Sequence, residues 1–180
     1  MAIRKASAYS KKGARPFTRT SRSKSKAYIK TVPGNKIAKY TGGNQADFEQ
    51  GKHPFRVHLY SDEGVLIRDN AIEAARMFVI KQLDDNALGQ YFIEVKVHPH
   101  HFLRENKSAG GAAGADRIST GMTQSYGVII GRAAIVKPGQ EIFFISCANE
   151  KAARIARDAL QNIKAKLPCR ARIVFEQLRN

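Results

Sequence analysis

The residues with the greatest capacity for chemistry lie between His98 and Met122. Ser108 to Met122 reads SAGGAAGADRISTGM, which is too rich in glycine for a helix and too short of bulk for a strand. It carries Asp116 and Arg117, and Arg104 and Lys107 lead into it. A phosphate cradle would need GxxxxGK[ST], and a dinucleotide site GxGxxG after a strand. Neither spacing occurs. Ser108, Gly110, Gly111 and Gly114 add almost no side chain, so the backbone can approach a crowded surface closely. Arg117 can clamp a phosphate or stack on a base. A flexible surface loop is the plainer reading of such a composition, and the flanking cations favour a probe aimed at RNA.

Three imidazoles follow one another in HPHH, at His98, His100 and His101. Metal binding would need a fourth ligand, and no Cys or acidic group stands beside them to complete a tetrahedral set. Packing at a strand end or contact with phosphate is the expected role. Asp84 and Asp85 fall at a helix end, a solvated position, and Asp116 has no carboxylate neighbour for acid and base work. Ser119, Ser125 and Ser146 lack the GxSxG setting of a nucleophile. Cys147 and Cys169 are far apart in apolar runs, as small buried hydrophobes are. No catalytic residue, metal site or cofactor is expected.

The elements that must position these groups follow from periodicity. FRVHLYS (Phe55 to Ser61) alternates as a half-buried strand. In DNAIEAARMFVIKQLDDNALG, Asp69 or Asn70 can cap a helix. Ile72, Ala75, Val79 and Leu83 then share one face, and Gly89 stops it. QYFIEVKVHP is a strand ended by Pro99. After the loop, YGVIIGRAAIV and EIFFISC are two strands joined at the KPGQ turn. Asn149 caps a second helix with Ala152, Ile155, Ala156, Ala159 and Ile163 on one face, and CRARIVFEQ is a final strand. The order predicts an α+β fold, in which two helices cover a small mixed or antiparallel sheet. A core domain is expected over 51–180, with a flexible loop at 105–127, and an extended basic arm and linker over 1–50.

The arm is defined by charge. Lys and Arg number 31 against 15 Asp and Glu, a formal charge of +16, which points to a polyanionic partner. Arg4, Lys5, Lys11, Lys12, Arg15, Arg19, Arg22, Lys24, Lys26, Lys30, Lys36 and Lys39 all precede Asp47, the first acidic residue. Tyr9, Phe17, Tyr28 and Tyr40 are interleaved with them. Rings that stack on unpaired bases and cations that take phosphates are the means of RNA binding. With so few apolar groups the arm is expected to order only against a partner. A transit peptide shares this composition, but Gly13 and Pro16 interrupt it and no apolar stripe runs from Lys11 to Lys26. No apolar run is long enough to span a membrane. Two rival classes are an RNA-modifying enzyme with a basic substrate arm and a DNA-binding protein. The first lacks a cofactor motif, and the helices of the second would be too acidic to read a groove.

Several blocks carry a likeness that runs almost the length of the chain. They are Tyr9, PFTR (Pro16 to Arg19), VPGNKIA (Val32 to Ala38), EAAR (Glu73 to Arg76), HPHHFLRENK, AAGADRISTGM (Ala112 to Met122), YG (Tyr126, Gly127) and KPGQEIFF. Together they resemble the large-subunit ribosomal proteins numbered sixteen in the universal scheme, in the archaeal and eukaryotic form called L-ten-e. The resemblance implies an α/β-hammerhead fold, binding to large-subunit rRNA, a cytoplasmic ribosomal location and no catalysis. It also implies that the loop Ser108 to Arg117 reaches toward the tRNA sites near the peptidyl transferase centre. Its implied partners are rRNA, tRNA and neighbouring ribosomal proteins rather than a second copy of itself. Thr123 stands where the family usually has Arg, and Val128 where it often has Lys. Arg132 is expected to replace part of that charge.

Overall fold

The computed structural model describes residues 5–11, 32–105 and 128–178. Two antiparallel sheets and three helices make up the described chain. The larger sheet holds β1 (Thr41–Gly43), β2 (Phe55–Ser61), β4 (Tyr91–Val95), β7 (Glu141–Cys147) and β8 (Ala171–Gln177), in the order β1-β4-β7-β2-β8. The smaller holds β3 (Val65–Arg68), β5 (His101–Glu105) and β6 (Val128–Val136), in the order β3-β6-β5. The helices are α1 (Gln45–Glu49), α2 (Asp69–Ala87) and α3 (Glu150–Ile163). A 3-10 turn, Lys164–Lys166, ends α3.

The α+β class and antiparallel pairing agree with the expectation, while the single sheet does not. KPGQ does turn the chain between β6 and β7, but the two strands part into different sheets instead of forming a hairpin. Burial explains the split, because β7 is buried at almost every position and lies between β4 and β2 at the centre of the larger sheet. β3 and β5 were not foreseen: four or five residues are too few for periodicity to distinguish a strand from a helix start.

Regular structure also begins before residue 51. Thr41–Gly43 pairs with β4, and the adjacent glycines conceal the strand from propensity. Gly43 has φ 84, and a Cβ there would collide with the Tyr91 carbonyl and ring. Only glycine fits this close approach of two backbones.

Helix α2 behaves as its spacing requires. Ile72, Ala75, Val79 and Leu83 are buried with no exposure, each large side chain contributing about 1.5–3 kcal/mol relative to exposure. The N-cap is Arg68 rather than Asp69 or Asn70, with Asp69 moved into the first turn. There its carboxylate favours the helix dipole. Helix α3 does start after Asn149, and Ala152, Ala156, Ala159 and Ile163 are buried, joined by Ala153 and Leu160. Both long helices pack against one another and against Val57, Leu59, Ile93, Phe143 and Ile145 of the larger sheet, while α2 also touches β3 and β6. Helix α2 is thus the wall shared by both sheets.

Candidate RNA interface

The smaller sheet anchors both basic extensions. Its strand β3 is an edge, and the amide of Leu66 donates to the Ser10 carbonyl at 3.0 Å, so residues 7–10 cover that edge. Arg68, almost fully buried, donates through Nη2 to the Lys5 carbonyl at 2.8 Å. The Tyr9 ring packs with Ile130 on a small apolar cluster of Leu66, Leu103 and Ala133. Residues 5–11 therefore have contacts of their own with the fold, whereas residues 12–31 of the arm lie outside the described residues. The reason for these contacts is local: Tyr9 and Ser10 bring one ring and one carbonyl to an edge that lacks both.

The arm is held again at residues 32–40. Arg132 donates through Nε to the Pro33 carbonyl at 2.8 Å, with its guanidinium 5.6 Å from the centre of the Phe102 ring opposite it on β5. The Lys36 and Ala38 amides then donate to Asp69 and Glu73 at the start of α2, and Ile37 enters the core. Glu73 also accepts two bonds from Arg76, at 2.8 and 2.6 Å. The Arg76 guanidinium holds the Glu73 carboxyl below its ordinary range, and Glu73 raises Arg76 in return. VPGNKIA and EAAR, distant in sequence, are thus two halves of one contact.

The loop leaves from the same sheet. Glu105 pairs with Val128 at its base, and the ladder slips between Leu103 and Arg104. This bulge leaves Ile130 unpaired and free to join the Tyr9 cluster. The hydroxyl of Tyr9 donates to Oε1 of Glu105 at 3.2 Å, tying the arm to the loop base.

Among the expected RNA contacts, Lys5, Lys11 and Lys36 are exposed, whereas Arg104 and Arg132 are half-buried. Arg132 has one nitrogen committed to the arm, so it serves in part as an internal anchor. Arg4, Lys12, Arg15, Arg19, Arg22, Lys24, Lys26, Lys30, Lys107 and Arg117 lie outside the described residues. So do Ser108, Gly110, Gly111, Gly114 and Asp116. Sequence reasoning missed the anchoring roles of Arg68 and Glu105, which no linear pattern marks because their partners are 63 and 96 residues away.

Four of the five histidines separate into two kinds, buried and exposed. His101 is buried, and burial lowers its pKa. His53 is buried against Ser146, its Nδ1 3.0 Å from the hydroxyl oxygen, and burial lowers it too, against a smaller opposing effect of Asp47. His98 and His100 are exposed. Among the described residues no group of three His, Cys, Asp or Glu could hold a metal. Nor is any helix there long and apolar enough to cross a membrane. Cys147 is buried and its thiol is pushed up to about 12.

An α+β domain whose small sheet holds the start of a basic arm and the base of a cation-flanked loop has the make-up of a nucleic-acid-binding protein. The family model described as ribosomal protein L16p/L10e matches residues 16–174. The large ribosomal subunit protein uL16 of Methanococcus aeolicus is 39% identical over 177 residues, 97% of this chain and 95% of that protein. That of Staphylothermus marinus is 39% identical over 180 residues, 99% and 97%, and that of Archaeoglobus fulgidus 41% identical over 165, 91% and 87%. The chain belongs to the ribosomal protein L16p/L10e family. Its members are structural components rather than enzymes, and the alternative of an RNA-modifying enzyme has no support among these relatives.

Proposed function

We propose that the chain is a structural constituent of the large ribosomal subunit that binds rRNA through its basic arm and presents the 105–127 loop toward bound tRNA. What supports this reading is the convergence of arm and loop base on one small sheet, in a chain of a ribosomal family with a formal charge of +16. A rigid sheet that fixes both extensions sets where the arm meets phosphates relative to where the loop points.

In this reading Arg4, Lys5, Lys11, Lys12, Arg15, Arg19, Arg22, Lys24, Lys26, Lys30 and Lys36 neutralise rRNA phosphates, with Arg104, Lys107 and Arg132 beside the loop. Ser108, Gly110, Gly111, Gly114, Asp116 and Arg117 form the tip near tRNA. The protein acts as one copy per particle among neighbouring ribosomal proteins. The test is a sucrose gradient of native extract at moderate salt, with and without ribonuclease. Travel with the large subunit, lost after ribonuclease, is expected. A chain that stays at the top of both gradients overturns the reading.

A further inference from the structure

Behind β4 the chain continues through Lys96, Val97, His98, Pro99 and His100 to His101. Burial alternates along it, with Val97, Pro99 and His101 inside and Lys96, His98 and His100 outside. An extended backbone sends alternate side chains to one face, so the two exposed imidazoles stand side by side. Their centroids lie 6.0 Å apart with planes inclined by 21°. A third ring joins them from the arm: Tyr40 packs on His98 in a tilted arrangement, with centroids 4.4 Å apart and an interplanar angle of 30°.

Tyr40 is held there from two sides. Its carbonyl accepts from the Val95 amide at 2.8 Å, extending the β1–β4 ladder by one step. Its hydroxyl accepts from Asn35 Nδ2 at 2.7 Å. Lys36 and Lys39, both exposed, precede it in the arm, and no ion pair is formed by either among the described residues. The row is pinned at one end: Tyr40 is partly buried against the core, while His98 and His100 stand exposed and outside both apolar clusters.

We propose that Tyr40, His98 and His100 form a platform on which an unpaired RNA base stacks, with Lys36 and Lys39 taking the neighbouring phosphates. The chemistry fits because every nucleobase offers a π-face, and a short aromatic column already in place is preorganised to be extended by one more ring. A duplex has no free base face except at its ends, so the ligand is a bulged, looped or terminal nucleotide. The inference rests on the RNA-binding reading given above and names a site where the end of the arm meets the folded domain, apart from the loop.

The test uses the full chain with two single-stranded RNA probes of equal length, an oligoadenylate and its abasic counterpart, beside large-subunit rRNA. The wild-type chain should bind the oligoadenylate about tenfold more tightly than the abasic strand. His98→Ala with His100→Ala should remove that preference, leaving abasic binding and the salt slope unchanged, because stacking releases no counterions. His100→Phe should retain it. Both positions are exposed, and an unchanged melting temperature confirms that the fold is intact. Equal wild-type affinity for the two probes, or a preference that survives the double substitution, overturns the platform. Loss of affinity for both probes that phenylalanine does not restore marks a charge contact and overturns it equally. If the wild-type chain binds neither the probes nor rRNA, the RNA-binding reading falls first. If it binds rRNA with steep salt dependence but shows no base preference, the platform alone falls.

Discussion

Tyr9 and Glu105 meet across 96 residues of sequence, the phenol donating to the carboxylate at 3.2 Å. Tyr9 holds φ at 67, a left-handed conformation that an L side chain adopts only under constraint. Such backbone costs of order 1–3 kcal/mol and persists where the surroundings determine it. Here those surroundings are Leu66, Leu103, Ala133 and Ile130 below the ring, with Glu105 at its tip. The base of the loop is thereby braced by the start of the arm.

Tyr9→Phe keeps the ring and removes the brace. Global stability should fall by about 1 kcal/mol, the net worth of one part-exposed hydrogen bond. Amide exchange at residues 5–11 and at Glu105 should accelerate more than in α2. Uniform acceleration throughout the domain would show that the contact has no local role.

Phosphate contacts are expected mainly from residues 12–30. Truncating 1–30 would also strip the cover from the β3 edge, so charge removal is the cleaner change. Replacing Arg15, Arg19, Arg22, Lys24 and Lys26 with Gln should reduce the salt slope of rRNA binding by about four on a logarithmic scale if each cation meets a phosphate. Retention of the full slope would place the phosphate contacts elsewhere.

Arg117→Ala addresses the loop. Incorporation into large subunits should be nearly normal, while accommodation of aminoacyl-tRNA should slow in the particles that carry the variant. Poor incorporation with normal accommodation would assign the loop to assembly instead.

Gly43→Ala should destabilise the domain by about 2–4 kcal/mol in denaturant titration, from overpacking added to a positive φ. Gly51→Ala separates the two causes, since its φ is 74 but nothing lies near the added methyl. It should cost only about 1–2 kcal/mol. Equal losses would mean that the contact with Tyr91 is relieved by movement of β1.

Burial holds the His53 imidazole below its ordinary value, so a proton binds the unfolded chain more readily than the folded one. Its contribution to stability is complete above the unfolded pKa and is lost as pH falls toward the folded value. The melting temperature should therefore decline between about pH 7 and pH 5. His53→Gln, which can still bond Ser146, should flatten part of that decline, and His101, lowered for the same reason, should maintain the rest. A profile unchanged by His53→Gln would show that His53 does not titrate on unfolding.

What could be read in the sequence depended on the range of the signal. Helix α2 was evident because Ile72, Ala75, Val79 and Leu83 repeat at helical spacing, β2 because apolar and polar residues alternate from Phe55, and β7 because β-branched and aromatic bulk is continuous there. β1 was hidden by Gly42 and Gly43; Gly43 lies against Tyr91, 48 positions later, and Gly42 against Ile80 and Ile93. The arm's charge was obvious, yet its attachment was not. Arg68 meets a carbonyl 63 residues earlier and Arg132 one 99 residues earlier, and a backbone carbonyl has no signature in the residue that bears it.

The order of the strands sets a schedule for synthesis. β2 lies between β7 and β8, so the larger sheet cannot close around its central strand until residues 171–177 have been made. Residues 5–11 wait as well, because the small sheet that receives them needs β6 at 128–136. At ordinary rates of translation this leaves the start of the basic arm without its own docking site for roughly ten seconds. Throughout that interval it is a polycation in a cell full of nucleic acid. Until β6 is made, the fold offers residues 5–11 nothing of its own to rest on.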